Sequence, residues 1–509
     1  MALAIINSRA CVGVESPPVT VEVHISNGMP GFCLVGLPET TVKESRDRVR
    51  SAIINSRFEF PAKRITVNLA PADLPKEGGR FDLPIALGIL MASEQIPSTT
   101  IEDKEFIGEL ALSGELRPVK GVLPAALAAN VVQRSLVVPH QDGDQAALVG
   151  RAQHKSAQSL LEVCADLCGQ ESLSLYESKK STHTSTQKRD LQDIIGQQQG
   201  KRALEIAAAG SHNLLFLGPP GTGKTMLASR MCDLLPEMSD AEALETASIA
   251  SLTQQEINHH NWKHRPFRSP HHSSSMAALV GGGTVPRPGE ISLAHNGLLF
   301  LDELPEFERK VLDSLRQPLE SGEIIISRAQ GKTRFPARFQ LVGALNPSPT
   351  GYYEGNQARA NPQSMLRYLS RLSGPLLDRF DMSIEIPALP KGTLSEGGER
   401  GEATAIVKQR VEQAREVMLS RNGFANALLG SREIDEYCTL EKVDAEFLEN
   451  ALHRLGLSIR AYHRIIKVAR TIADLEGMTN ISRKHLSEAL GYRAMDRLLQ
   501  RLTENSIVS

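Results

Sequence analysis

An apolar strand that runs into a glycine-rich turn and then a lysine constrains this chain more than any other feature. Residues 214–217 read Leu-Leu-Phe-Leu, and the next eight residues are Gly218, Pro219, Pro220, Gly221, Thr222, Gly223, Lys224 and Thr225. This spacing is the P-loop pattern, in which backbone N–H groups of the turn and the start of a helix face a polyphosphate. Lys224 would pair with the β- and γ-phosphates, and the Thr225 hydroxyl would hold Mg²⁺. The sequence therefore predicts a site for a nucleoside triphosphate.

Two acidic residues follow a second apolar strand. Residues 298–301 read Leu-Leu-Phe-Leu, and Asp302 and Glu303 come next. Because parallel strands carry active groups at their carboxyl ends, we expect these acids to lie beside the glycine-rich turn. Asp302 would hold Mg²⁺ through water, and Glu303 would polarise the water that attacks the γ-phosphate.

Further polar residues are candidates for sensing or stabilising the phosphates. Asn346 ends a third apolar strand and could contact the γ-phosphate, although an Asn before Pro also forms ordinary turns. Arg379, with Arg371 shortly before it, is expected where it reaches the nucleotide of a neighbouring copy, a surface ion pair being the alternative. Arg460 opens a later helix that could swing over the phosphates.

The patterning along the chain predicts three folded blocks. Residues 1–170 mix alternating strands with helices, residues 190–388 alternate helices with short buried strands, and residues 403–509 are helical. Residues 171–189 and 389–402 are expected to be linkers. The expected fold class is therefore multidomain α/β, with a parallel sheet in the middle block and a helical lid at the C-terminus.

Composition restricts the partners and the compartment. The formal net charge is −2, so any nucleic-acid surface must be local. Six cysteines in 509 residues do not make a disulfide framework. No apolar stretch is long enough to span a membrane, and the N-terminus lacks a leader pattern, so we expect a cytoplasmic protein without a membrane partner.

The P-loop, the two acids and the later polar residues together resemble the AAA+ ATPase motif set. The resemblance implies that ATP is the nucleotide and that Mg²⁺ accompanies it. It implies that Asn346 is sensor 1, Arg379 the arginine finger and Arg460 sensor 2. Ile195, in the run Asp193-Ile-Ile-Gly-Gln197, resembles the adenine-pocket segment of AAA+ proteins.

A closer resemblance covers nearly the whole chain. The long interval before Asp302 and the residues 322–338 resemble the helix-2 insert and pre-sensor hairpin shared by magnesium chelatase ATPase subunits and MCM helicases. Phrases within residues 267–272, 289–297 and 368–379 resemble the YifB/ComM family of magnesium-chelatase-like AAA+ ATPases.

Membership of that family implies a function and partners. It implies a homo-oligomer, as a hexamer, that acts on single-stranded, duplex and branched DNA. The work would be helicase or branch-migration activity in homologous recombination and natural transformation, with recombination proteins as candidate partners. One departure concerns residues 348–365, which contain no cysteine, so the zinc site of many relatives is not expected here.

The N-terminal block resembles the Lon-protease domain, which has a ribosomal-S5-domain-2-like fold. The resemblance lies in residues 73–84 and 108–123. Lon chemistry needs a Ser nucleophile and a Lys base, but the matching positions hold Arg80 and Leu123. We therefore expect a non-proteolytic block with binding or assembly duties.

Two groups of basic residues are candidates for contacting DNA phosphates. The first, in the N-terminal block, comprises Lys43, Arg46, Arg48, Arg50, Arg57, Lys63 and Arg64. A solvated, ion-paired surface is the favoured alternative for that group. The second group comprises Lys263, Arg265, Arg268, Arg287, Arg328, Lys332, Arg334 and Arg338. It would face the pore of a ring, and structural support of the ring is the alternative.

Other interpretations of the chain remain open. A magnesium-chelatase-type or chaperone-type motor would use the same ATPase motifs to remodel a protein partner instead of moving DNA. A Lon-type protease is disfavoured by Arg80 and Leu123. The histidine-rich run comprises His259, His260, His264, His271 and His272. It is not expected to bind a metal, because no acid or cysteine accompanies it.

Overall fold

The computed structural model describes most of the chain. The described residues are 3–35, 44–74, 76, 78–97, 101–149, 154–173, 190–253, 257, 261–283, 286–328, 331–348, 362–390, 393 and 400–508. Several expectations fall outside them, namely most of the two linkers, Lys43, His259, His260 and most of the cysteine-free run 348–365. The predicted domain boundaries therefore stay predictions.

The described N-terminal part combines a four-stranded, a three-stranded and a two-stranded sheet with a fully buried helix. Its strands are β1 (Leu3–Arg9), β2 (Pro18–Ser26), β3 (Gly31–Val35), β4 (Arg64–Ala70), β5 (Lys104–Phe106), β6 (Glu109–Leu110), β7 (Leu116–Arg117), β8 (Ser135–Pro139) and β9 (Lys155–Ala157). Its helices are α1 (Ser45–Asn55), α2 (Asp82–Ala92), α3 (Val122–Val131), α4 (Gly143–Ala147) and α5 (Leu160–Leu167). α2 is apolar after its first residue, Asp82, and every residue of it is buried where it packs against β1 and β2.

Pairing in the N-terminal part is mixed. β1, β2 and β4 pair antiparallel, β3 joins β4 in parallel, and β5, β8 and β9 form a separate parallel sheet. Alternate residues of β2 are buried because its valines and isoleucine face α2, as the period-2 pattern predicts.

The central part is built on a five-stranded parallel sheet in the order β11-β14-β17-β10-β18. Its strands are β10 (Leu214–Leu217), β11 (Phe267–Arg268), β12 (Gly281–Gly282), β13 (Arg287–Pro288), β14 (Leu298–Leu301), β15 (Glu323–Arg328), β16 (Gly331–Pro336), β17 (Gln340–Leu345) and β18 (Met382–Glu385). Its helices are α6 (Gln198–Gly210), α7 (Lys224–Leu234), α8 (Asp240–Ala250), α9 (Met276–Val280), α10 (Glu290–Leu293), α11 (Arg309–Ser314), α12 (Arg316–Ser321), α13 (Pro362–Leu369) and α14 (Gly374–Leu377). The expectation of a parallel sheet is confirmed.

Both faces of this sheet are covered, which is why its inner strands are apolar throughout. Every residue of β10, β14 and β17 is buried. Leu214 and Phe216 belong to the core formed with α6 and α7, whereas Leu215 and Leu217 belong to the core formed with α11, α13 and α14. Because the strands are parallel, their carboxyl ends meet at one edge of the sheet.

The C-terminal part is helical, as predicted. Its helices are α15 (Thr404–Asn422), α16 (Ser431–Tyr437), α17 (Lys442–Leu455), α18 (Ile459–Leu475), α19 (Arg483–Gly491) and α20 (Ala494–Val508). α15 and α18 pack against α6, whereas α20 packs on the opposite face of the sheet against α13 and β18. Within the described part of the chain, every helix falls short of the length and apolarity that crossing a membrane requires.

The N-terminal part contacts the central part at two places. The N–H of Gly121 donates to the carbonyl oxygen of Ser251 at 2.9 Å, and α3 and β8 share an apolar cluster with α8. At the second place, Gly13 approaches the β15–β16 hairpin so closely that a Cβ on it would fall 2.5 Å from Cγ2 of Thr333. The base of this hairpin is therefore held between the two parts.

Candidate nucleotide site

The glycine-rich turn joins the end of β10 to the start of α7. Gly221 and Gly223 have φ angles of +77° and +90°, which residues with a side chain rarely adopt. A Cβ on Gly218 would fall 2.2 Å from the carbonyl oxygen of Ile386, so the turn starts against the residue that follows β18. The turn thus has the strand before it and the helix after it that a P-loop requires.

The ammonium group of Lys224 is folded into this turn. Its Nζ donates to the carbonyl oxygens of Gly218 at 2.8 Å and Pro219 at 2.7 Å, and to Oδ1 of Asn346 at 3.1 Å. Burial lowers the pKa of Lys224, and nearby carboxylates, Asp302 foremost, oppose that effect. A polyphosphate in the turn would offer this cation stronger acceptors than the carbonyl oxygens it now contacts.

Thr225 and the two acids lie at the same edge of the sheet. Oγ1 of Thr225 donates to Oδ2 of Asp302 at 2.7 Å, so the hydroxyl and the carboxylate expected to hold Mg²⁺ are already adjacent. Hydroxyl and carboxylate oxygens are ligands that suit Mg²⁺, so the residues fit the ion. Glu303 follows with a φ of +50°, its N–H donating to Oδ1 of Asp302 at 2.9 Å. The structure therefore brings together Lys224, Thr225, Asp302, Glu303 and Asn346.

The segment before α6 is fastened to the turn. Ile195 is half-buried and forms an isolated β-bridge with Arg400. Nε2 of Gln197 donates to the carbonyl oxygens of Thr222 at 3.2 Å and Pro387 at 2.8 Å. Sequence reasoning missed the contribution of Gln197, although it ends the run that singled out Ile195.

Arg379 and Arg460 belong to a cluster of arginines at the end of α14. Arg379 contacts Glu320, and its buried Nε atom has no hydrogen-bond partner among the residues that the structure describes. Arg460 and Arg464 each approach a carboxylate oxygen of Asp378 at 3.6 Å. Burial and then the neighbouring arginines, Arg464 foremost, lower the pKa of Arg379. The cluster therefore concentrates positive charge.

The role predicted for Arg460, which is to close over the phosphates with the helical block, stays a prediction. The side chain of Arg460 is 72 % exposed and approaches Asp378, the residue before the arginine finger candidate Arg379. Lys224, in contrast, contacts the glycine-rich turn and Asn346. The arrangement pairs Arg460 with Arg379. Arg371 contacts another acidic residue, with its Nη1 at 3.2 Å from Oε2 of Glu306.

A contact that sequence reasoning missed involves Glu303. Nδ1 of His272 lies 3.2 Å from Oε2 of Glu303. The ring of His272 also meets the ring of Phe307 edge-on, with centroids 6.4 Å apart. The signal in the sequence is the phrase 267–272, which ends in His271 and His272 and indicates the family resemblance but not this contact. Among the described residues, no group of three His, Cys, Asp or Glu side chains could hold a metal ion.

Four of the eight basic residues of the insert and hairpin form ion pairs. The pairs are Lys263 with Asp240 at 2.6 Å, Arg265 with Glu242 at 3.4 Å, Arg268 with Glu290 at 2.6 Å and Arg338 with Glu245 at 2.6 Å. These contacts fit the structural role that was the alternative to DNA binding. Lys332 and Arg334 are exposed on one face of β16, opposite Ser327 and Ile325, and Arg287 is exposed too. The side chain of Arg328 lies outside the described residues.

The basic residues of the N-terminal part also include both ion-paired and exposed side chains. Arg48 binds the buried carboxylate of Asp82 at 2.8 Å, which makes it structural. The exposed members are Arg46, Arg50, Arg57, Lys63 and Arg64. Arg80 and Leu123, at the positions that were matched to the Lon nucleophile and base, are both buried.

Comparison with known families accounts for most of the chain. The family described as magnesium chelatase, subunit ChlI, matches residues 190–394, and that described as subunit ChlI of Mg-chelatase matches residues 21–142. A third, described as magnesium chelatase, subunit ChlI C-terminal, matches residues 401–493.

Individual relatives extend along the full length. Competence protein ComM of Haemophilus influenzae is 64% identical over 507 residues, which are 99% of this chain and 100% of that protein. YifB of Escherichia coli, an uncharacterized protein, is 58% identical over 98% of both chains. The magnesium-chelatase 38 kDa subunit of Rhodobacter capsulatus is 28% identical over 60% of this chain and 86% of its own.

Proposed function

We propose, from the premise that this chain belongs to the YifB/ComM family of magnesium-chelatase-like AAA+ ATPases, that it is a ring-forming, Mg²⁺-dependent ATPase that moves along DNA. The observation that carries the proposal is the convergence of Lys224, Thr225, Asp302, Glu303 and Asn346 at one edge of the sheet. The residues supply each element that phosphoryl transfer to water requires.

Each residue of this edge has a role that follows from its chemistry. Lys224 would leave the carbonyl oxygens of the turn for the β- and γ-phosphates, and Asn346 would move with it to the γ-phosphate or the attacking water. Glu303 would accept a proton from that water. Mg²⁺, held by Thr225 and through water by Asp302, would neutralise charge on the phosphate oxygens.

The arginine cluster supports a ring. Among the described residues, Arg379 contacts Glu320, and Arg460 and Arg464 approach Asp378. After burial, the charges of Arg464 and Arg460 lower the pKa of Arg379, so the cluster favours an external anion. We infer that this anion is the γ-phosphate held by a neighbouring copy, so that Arg379 and Arg460 act in trans. A hexamer is the assembly that the family resemblance implies.

DNA as the substrate rests on the family and on the hairpin. The name of the Haemophilus influenzae relative is competence protein ComM, and competence concerns the uptake of DNA. Lys332 and Arg334 stand exposed on one face of the β15–β16 hairpin, where they could follow phosphates without selecting bases. The proposed work is helicase or branch-migration activity on single-stranded, duplex and branched DNA in recombination and transformation, with recombination proteins as partners, in the cytoplasm.

The N-terminal part would organise the ring. We propose a non-proteolytic Lon-like fold for it, spanning residues 1–170 and followed by the central block 190–388 and the helical lid 403–509. Arg80 and Leu123 supply neither a nucleophile nor a base, and the contact of Gly13 with Thr333 ties this part to the hairpin.

A motor that remodels a protein is the second candidate. It is favoured by the ion pairs that engage Lys263, Arg265, Arg268 and Arg338, because they leave less charge for DNA phosphates.

The ATPase rate with and without DNA separates the two candidates. Single-stranded, duplex and forked DNA are added to the wild-type protein at several salt concentrations. A DNA motor is stimulated by one or more of them, and the stimulation falls as salt rises. ATP hydrolysis that ignores all three at every salt concentration excludes the DNA motor and favours the protein-remodelling one.

A further inference from the structure

Asn213 lies at the edge of the central sheet that is opposite the glycine-rich turn. It immediately precedes β10, whose four residues separate the two edges by about 13 Å. Arg379 lies at the same edge as Asn213, since the chain passes from Arg379 into β18 and β18 runs parallel to β10. The amino edge of the sheet therefore places the arginine finger candidate, whereas the carboxyl edge places Lys224.

Both polar atoms of the Asn213 side chain have partners. Its Nδ2 atom donates to the carbonyl oxygen of Arg379 at 2.8 Å, and its Oδ1 atom accepts from the N–H of Leu341 in β17 at 2.8 Å. Because one partner only accepts and the other only donates, a single orientation of the amide satisfies both. The side chain thus joins the backbone at Arg379 to a strand that is buried throughout.

The backbone of Asn213 holds the next residues of the same segment. Its N–H donates to Oδ2 of Asp381 at 2.9 Å, and its carbonyl oxygen accepts from the N–H groups of Asp381 at 3.0 Å and Met382 at 3.1 Å. Phe380, which precedes Asp381, is buried in the core. These contacts do not involve the Asn213 side chain, so replacing that side chain releases Arg379 while the start of β18 stays in place.

The guanidinium group of Arg379 depends on its backbone for placement. It contacts Glu320, whose side chain is 60 % exposed. An ion pair that reaches solvent fixes a long side chain weakly. Because a displacement of about 1 Å at a reacting group lowers a rate by up to about a hundredfold, a hydrogen bond at the backbone of Arg379 affects turnover.

We propose that Asn213 is a positioning residue for the arginine finger: it holds the carbonyl oxygen of Arg379 at the sheet and so sets where the guanidinium group stands beside the nucleotide of a neighbouring copy. The inference rests on the ring proposed above, in which Arg379 acts in trans. The strand that ends in the nucleotide-binding turn would then start beside the residue that positions a finger for the next subunit.

Two variants of Asn213 and one control test this role. Asn213→Ala removes both hydrogen bonds of the side chain, whereas Asn213→Asp keeps the acceptor for Leu341 and loses the donor to Arg379. Gln340→Ala removes a buried amide at the same edge of the sheet, which donates to two other backbone carbonyl oxygens. We expect kcat for ATP to fall about tenfold in both Asn213 variants with ATP affinity unchanged, and to stay near wild type in Gln340→Ala. Unchanged affinity also shows that the variants fold.

Mixing subunits locates the defect. Asn213→Ala should keep an intact nucleotide site but supply a misplaced finger. Mixed in equal amounts with Glu303→Gln, which supplies an intact finger, it should recover about a quarter of the wild-type rate, whereas mixed with Arg379→Ala it should stay at the mean of the two separate rates. The reverse pattern, recovery with Arg379→Ala and none with Glu303→Gln, places the defect in the variant's own site and overturns the proposal.

A double variant separates this inference from the ring. If Arg379→Ala mixed with Glu303→Gln stays inactive, the action in trans falls, and Asn213→Ala, Arg379→Ala is then compared with Arg379→Ala alone. Turnover that is no lower in the double variant shows that Asn213 acts through Arg379 within one copy. A further loss of about tenfold shows that Asn213 acts elsewhere and overturns the positioning role. A wild-type kcat in Asn213→Asp, or an equal loss in Gln340→Ala, overturns it too.

Discussion

At the scale of single residues, the side chains of the nucleotide site contact protein groups where a phosphate or a Mg²⁺ ion would bind. Lys224 donates to two carbonyl oxygens and an amide oxygen, and Thr225 donates to Asp302. Each contact is weaker than the one that a phosphate or a divalent cation would offer the same group. The residues are therefore held near their working positions, and binding exchanges partners with small side-chain movements.

Lys224→Ala and Glu303→Gln should affect different steps. The first should weaken ATP binding, and the second should slow ATP hydrolysis. Loss of the ammonium group removes charge-assisted hydrogen bonds, so nucleotide affinity should fall by about tenfold to a hundredfold. Glu303→Gln leaves Lys224 and the turn in place and should still bind ATP, while turnover falls by about a hundredfold or more. Binding is measured with a fluorescent ATP analogue and turnover by phosphate release. Normal ATP affinity in Lys224→Ala would contradict the P-loop assignment.

The sequence predicted residues whose role is fixed by local spacing and missed those fixed by packing. Lys224 and Asp302 follow buried strands, so their place at the sheet edge could be predicted from strand polarity. His272 reaches Glu303 only because β11 lies beside β14, and nothing in the local pattern of a two-residue strand foretold that pairing. Arg460 reaches Asp378 through the packing of α18, which helical periodicity alone does not orient.

A second residue-scale prediction concerns pH and the N-terminal part. His154 is buried and its Nδ1 accepts from the N–H of Leu136 at 3.1 Å. Burial lowers the pKa of His154 from 6.5 to about 4, with the backbone of Ala126 opposing. The unfolded chain therefore takes up a proton that the folded chain refuses, and stability is lost as pH falls through this window.

His154→Asn tests this assignment. The Asn side-chain oxygen can accept from the same N–H but does not titrate. In urea unfolding, the wild type should lose about 3 kcal/mol of stability relative to the variant as the pH falls from 7 to 4, and almost nothing above pH 7. Asp82 and Asp142, whose pKa values burial raises to about 6, contribute equally to both proteins and cancel in the difference. A pH-independent difference would show that the folded protein protonates His154 normally.

At the scale of elements, the β15–β16 hairpin separates a packed face from a charged one. Ile324, Ile326, Thr333 and Phe335 are buried on its inner face, whereas Lys332 and Arg334 are exposed on the outer. Side chains alternate between these two faces along both strands, and Gly13 of the N-terminal part presses on the inner one. The hairpin therefore exposes its charged side chains on one face while its other face packs against both the N-terminal and the central part.

The double variant Lys332→Ala, Arg334→Ala should weaken DNA binding without changing ATP hydrolysis in the absence of DNA. Each lost phosphate contact lowers the steepness of the salt dependence by about one, so the slope of log affinity against log salt should flatten by about two. DNA affinity is measured by fluorescence anisotropy across a salt series. Arg432→Ala, Lys442→Ala removes the same charge from exposed positions of the helical block and should leave the slope unchanged. Equal slopes in the two double variants would remove the hairpin from the DNA interface.

At the scale of the whole molecule, the two halves of the proposed chemistry are in different places. Lys224, Asp302 and Glu303 gather at the sheet edge, whereas Arg379 and Arg460 gather at the end of α14. A single copy that hydrolysed ATP alone would have to bring these groups together by moving the end of α14, which carries Arg379, as well as the helical block, which carries Arg460. A closed ring needs no such movement, because a head-to-tail interface sets one group against the other around the circle.

Mixing two inactive variants distinguishes these arrangements. Glu303→Gln keeps its arginines but lacks the residue that activates water, and Arg379→Ala has the reverse defect, so each alone should hydrolyse ATP slowly. If Arg379 acts on a neighbour, mixed rings pair an intact edge with an intact arginine, and random assembly from equal amounts should restore about a quarter of the wild-type rate. The rate is followed by phosphate release after the subunits have been allowed to exchange. Arg379→Ala mixed with the Glu303→Gln, Arg379→Ala double variant supplies no arginine and should stay inactive. Equal inactivity of both mixtures, with mixed rings verified by native mass spectrometry, would mean that each copy completes its own site.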